Sequence, residues 1–254
     1  MKNDNRSTRL PGGLPIHVEN VLMHVAEVCK EAFAQDLCAI LLFGSAAEGK
    51  LRATSDLNLL FVLNRYERQA VDRVRDALQA AQAAVRLRAM FVLEPELSEA
   101  GEAFAVKFLD IARRHFVLFG RDVLQSFQPS RPALVRRTEQ LLINLILRLR
   151  ERYVMVSLQE EQLAVVVAEA ASPLRSAAAA ICELEGQAAA SPKEALRIAA
   201  GGLPGEGWSE ALRMMSQARE TGALPPGKGA ETLHSMIALS QGLLARLRGL
   251  ELKP

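Results

Sequence analysis

Leu41-Leu42-Phe43-Gly44-Ser45-Ala46-Ala47-Glu48-Gly49-Lys50-Leu51-Arg52-Ala53-Thr54-Ser55-Asp56-Leu57-Asn58-Leu59-Leu60-Phe61-Val62-Leu63 decides how this chain is read. The apolar run from Leu37 to Phe43 is short and ends on Gly44, which predicts a buried strand followed by a tight turn. Ser45 and Glu48 match a capping box, so a short helix is expected to open there. Asp56 to Leu63 predicts a second strand. The two-residue period places positions 56 and 58 on one face, about 6–7 Å apart, with Leu57 and Leu59 on the other. Gly44 permits close backbone approach to a ligand, and the Ser45 hydroxyl with the amides of the turn offers a seat for phosphate. Two acids at positions 56 and 58 could hold magnesium ions against a triphosphate. This chain places Asp56 and Asn58 there.

Working outward, helical spacing of Val18, Val21, Leu22, Val25, Val28, Cys29 and Phe33 predicts an amphipathic helix over 17–35. A helix is expected over 65–84, a third strand over 85–93, a helix over 105–114, and an extended segment over 115–120. Beyond Gln128-Pro129-Ser130-Arg131-Pro132 the texture changes to long Ala- and Leu-rich helical segments. These are expected over 133–158, 160–184, 208–220 and 230–250, with Pro173 kinking or dividing the second. Ser191-Pro192-Lys193-Glu194 marks a further helix start. The reading is an α+β chain: a flexible N-terminus over 1–15, a mixed sheet with helices over 16–129, and an all-helical bundle over 130–254.

Composition excludes several classes. Thirty-one basic residues stand against twenty-nine acidic ones among 254, a net charge of +2, which does not indicate a nucleic-acid partner. The three cysteines are scattered among apolar residues without zinc spacing, which fits buried thiols in a reducing compartment. Residues 1–15 lack the apolar core of a signal segment, and runs such as 37–43 and 141–147 are too short to span a bilayer. A cytoplasmic protein with no membrane partner is expected.

Leu42-Phe43-Gly44-Ser45 followed by Ser55-Asp56-Leu57, with Gly49 in the spacer, resembles the nucleotidyltransferase superfamily of polymerase-beta-like and kanamycin nucleotidyltransferase-like proteins. The resemblance is concentrated in residues 37–63 and extends more loosely to the third strand, the Val117–Asp122 segment and the helical bundle. It implies that Gly44 and Ser45 hold the phosphates of a nucleoside triphosphate and that Asp56 is a catalytic metal ligand. It also implies magnesium as cofactor. The chain departs from the pattern at the second ligand position, Asn58. It departs again on the third strand, where the family's third carboxylate is replaced by the neighbourhood of Arg86 and Arg88. An amide oxygen brings no charge to offset a dication, so the metal site reads as degenerate. Lys50, Arg52, Arg86 and Arg88 could instead neutralise an anion directly. Three functional readings remain open. The first is a nucleotide- or protein-binding member with little turnover. The second is an active magnesium-dependent enzyme moving a nucleoside monophosphate to an acceptor. The third is a regulatory or structural homodimer.

Overall fold

A computed structural model describes residues 8, 10–52 and 55–251. The expectation of a flexible 1–15 segment therefore lies in part, at residues 1–7 and 9, outside the described residues, as do residues 53 and 54 of the spacer. The chain divides into two compact units, Met1–Pro129 and Ser130–Pro254.

The first unit is built on a four-stranded mixed sheet: β1 (Leu37–Phe43), β2 (Leu57–Leu63), β3 (Leu87–Leu93) and β4 (His115–Gly120), in the order β3-β2-β1-β4. β1 runs antiparallel to both β2 and β4, and β2 runs parallel to β3. α1 (Ile16–Phe33) and α2 (Arg68–Val85) cover one face, where Ile40, Leu42, Leu57, Leu59, Phe61 and Leu63 pack with Leu22, Val25 and Val74. α3 (Leu97–Ala103) and α4 (Ala105–Arg113) serve the other face, where Leu41, Leu60, Val62 and Val92 meet Phe108 and Ile111. Burial on both faces explains why β1 and β2 read as almost unbroken apolar runs.

Two local expectations are corrected. The helix after Gly-Ser is a single tight turn, Gly44–Ala46, with no side-chain cap, so no helix dipole stands behind Ser45. Glu48, which would have closed the capping box, is drawn instead to Arg114 and Lys50. The second correction concerns the third strand. β3 begins at Leu87, and Arg86 is the left-handed residue (φ 54°) that ends α2, its N–H bonded back to Gln82 at 3.0 Å. Only Arg88 of the two arginines stands on the strand.

Among its described residues the second unit contains five helices and no strand: α5 (Arg131–Val156), α6 (Glu160–Leu184), α7 (Pro192–Gly201), α8 (Trp208–Thr221) and α9 (Lys228–Glu251). Ser130 and Ser191 cap α5 and α7 by accepting from Ala133 N and Glu194 N. Pro173 does not divide α6, which runs unbroken. Burial of Ala170, Ala171 and Leu174 around it holds the helix together despite the missing hydrogen bond. α6 is also long and apolar enough to cross a membrane by length and composition. However, 61 % of its most apolar window is buried inside the protein, the placement of a core helix.

Candidate functional site: the Asp56 corner

The Gly-Ser turn and the start of β2 lie side by side because β1 and β2 pair antiparallel with Phe43 opposite Asn58. Gly44 adopts φ 80°, a conformation side-chain-bearing residues avoid. A Cβ built on it would lie 3.8 Å from Asn58 Nδ2, so the turn closes directly over that amide. Asn58 Nδ2 donates to the Asp56 carbonyl oxygen at 3.2 Å. The amide therefore fixes the backbone leading into β2, which a carboxylate at this position could not do.

Asp56 sits just before β2, half-buried. Arg86 Nε donates to its Oδ1 at 3.1 Å, and Arg88 Nε lies 2.9 Å from Oδ2. The register brings Arg88 there, since it pairs with Asn58 across the parallel β2–β3 ladder. Arg86 arrives from a different element, the C-terminal cap of α2. Both arginines thus converge on Asp56, one from the strand and one from the helix end. Asp56, Arg86 and Arg88 also line an open groove of about 610 Å³ along β3, together with Gln79 and Gln82 of α2. Gly44, Ser45 and Asn58 are not among the residues that line it.

Lys50 Nζ is 3.4 Å from Glu48 Oε1, and the Arg52 backbone N–H faces Ser55 Oγ at 3.4 Å. Glu94 forms an ion pair with Arg121.

A residue that sequence reasoning passed over organises the back of the turn. The Gly44 N–H donates to the Arg114 carbonyl oxygen at 3.1 Å. The Arg114 guanidinium reaches Glu48 at 2.9 Å and Asp110 at 2.6 Å. Burial pulls its pKa down, but hydrogen bonds and charge from Asp110 and Glu48 outweigh this and raise it. The i,i+4 spacing of Asp110 and Arg114 was the available signal. Next to it, His115 opens β4, which spans the extended segment expected over 115–120. Its Nδ1 faces the carbonyl oxygens of Ile111 and Ala112, and its Nε2 lies 3.0 Å from Asp122.

Both Asp56 oxygens are engaged by guanidinium groups, Asn58 brings no charge, and no group of three His, Cys, Asp or Glu residues converges among the described residues.

The comparison with solved structures shows that the chain shares its fold with an adenyltransferase. The spectinomycin adenyltransferase AAD(9) from Enterococcus faecialis, determined with ATP and spectinomycin, superposes with a TM-score of 0.60. The match covers 91 % of this chain and 99 % of that one, at 13 % sequence identity. Among curated proteins, "Putative protein adenylyltransferase MJ1305" from Methanocaldococcus jannaschii is 36 % identical over 56 residues, which is 22 % of this chain and 38 % of that protein. No family model matches the sequence.

Proposed function

We propose that this chain binds a nucleotide on a nucleotidyltransferase fold with arginine, not magnesium, neutralising its phosphates, and with little or no nucleotidyl transfer. The observation that carries the reading is the double engagement of Asp56 by Arg86 and Arg88. Phosphoryl-transfer catalysis rests on positioning and on metal ions that offset developing charge. An acid already paired with two cations, beside an amide in place of the second acid, cannot recruit dications well. The same two guanidinium groups suit phosphate oxygens, which they can meet through paired N–H donors. Gly44 and Ser45 would approach the ligand from the turn, with Lys50 and Arg52 adding positive charge along the spacer.

Two assays test this. Pyrophosphate release from nucleoside triphosphates in magnesium should stay at background, and a nucleotide should raise the melting temperature, because a ligand specific to the folded state stabilises it. Asn58→Asp should increase magnesium affinity. Magnesium-dependent release by the wild type, abolished in Asp56→Ala, overturns the proposal in favour of the second reading, an active enzyme transferring a nucleoside monophosphate. The likeness to the two adenylyltransferases named above favours that second reading.

A further inference from the structure

We infer that Asp56 is a built-in competitor for the groove between α2 and β3, and that the ligand displacing it is a phosphorylated small molecule. This rests on the reading that arginine replaces metal, and it goes further by assigning the place and the control of binding.

Arg86 and Arg88 supply two positive charges at the mouth of the groove, and their side chains are 58 % and 70 % exposed. Asp56, 29 % exposed, offsets one of them. The C-terminal end of α2 adds roughly half a negative charge, since Arg86 is its capping residue. With Asp56 in place the groove mouth carries only about +0.5. With its charge removed the balance rises to about +1.5. A phosphate therefore meets a weak site in the resting protein and a strong one once the aspartate lets go. Both arginine side chains are mostly exposed, so water and a competing anion can reach the two ion pairs.

Neutral groups line the groove as well. Gln79 and Gln82, three residues apart on α2, carry amides that both donate and accept, and Leu78, Leu87 and Ala89 complete the lining. This pairing of a cationic mouth with amides suits a ligand that joins phosphate to a neutral polar group. Inorganic phosphates would fill the mouth alone.

The test is calorimetric titration with pyrophosphate and with ATP, both in a metal chelator. Asp56→Asn keeps shape and removes charge. It should tighten both ligands by roughly five- to tenfold, the scale of one unscreened charge a few ångströms away in a largely aqueous setting. Adding Arg88→Ala to that variant should cancel the gain. Gln79→Ala with Gln82→Ala should weaken ATP while leaving pyrophosphate unchanged. Thermal melts establish that each variant is folded. Unchanged or weaker binding by Asp56→Asn, while the wild type still binds ATP, overturns the competitor role and leaves nucleotide binding standing. If no variant binds either ligand, the underlying reading fails with it.

Discussion

Two ionic clusters flank the Gly44 turn, and they are built in opposite senses. Behind the turn, Arg114 lies between two acids, Asp110 and Glu48, the latter also paired with Lys50, and the Arg114, Asp110 and Glu48 side chains are only about a fifth to a quarter exposed. In front, one acid serves two cations: Asp56 lies between Arg86 and Arg88, which are mostly in water. The enclosed cluster ties α4 to the spacer loop and holds the turn from behind through the Gly44 N–H. The open cluster joins the end of α2 and the start of β3 to the residue before β2, next to a register that the β2–β3 ladder also holds. Similar chemistry thus does two jobs, and access to water separates them. Where solvent is excluded the pairs fix structure, and where it enters they are exchangeable.

The comparison can be broken most sharply at Arg114. Arg114→Met should cost about 2–3 kcal/mol in urea denaturation, because partly buried Asp110 loses its partner and Glu48 keeps only Lys50. A loss below about 0.5 kcal/mol would make the enclosed cluster no more structural than a surface pair. Gly44→Ala comes next, at about 1–2 kcal/mol by the same measurement, from left-handed backbone strain. The 3.8 Å approach to Asn58 is ordinary contact and adds little. The double variant Arg86→Ala, Arg88→Ala should change stability by no more than about 0.5 kcal/mol. A cost comparable to that of Arg114→Met would place the front cluster in the same structural class.

The smallest effect concerns pH. The folded Arg114 guanidinium is raised above its ordinary value by Asp110 and Glu48, so its contribution is complete from neutral to mildly alkaline pH and should not vary there. Burial pushes the Cys29 thiol from 9.0 up to about 12, so the unfolded chain ionises first. Stability tied to Cys29 is intact below pH 9 and is lost progressively as pH rises toward 12. Denaturation curves from pH 7 upward should show that decline in the wild type, reduced in Cys29→Ala relative to its own neutral value.

Much of the fold was legible because burial leaves a periodic trace. β1 and β2 read as continuous apolar runs since helices cover both faces, and α1 showed its buried stripe at helical spacing. The boundary between α2 and β3 was misread because an arginine, not a glycine, takes the left-handed cap. No residue-type signal marks it. The Ser45–Glu48 capping box was a fair local reading that a tertiary contact overrode, Glu48 being claimed by an arginine sixty-six residues away. Pro173 likewise sits in an unbroken helix because packing outweighs propensity. At the candidate site, the sequence identified Asp56, Asn58 and the two arginines. It could not bring Arg86 and Arg88 onto Asp56, because that convergence depends on strand register and on one backbone φ. Arg114, Gln79 and Gln82 carried only helix-spacing signals and came to notice through the geometry.

The account stands or falls on whether arginines do the work that dications do elsewhere on this fold. ATP affinity of the wild type, measured by calorimetry with magnesium and again with a chelator, tests it most directly. The account predicts binding that survives chelation and falls at least tenfold in the Arg86→Ala, Arg88→Ala variant. Binding that requires magnesium and is indifferent to both arginines would contradict it.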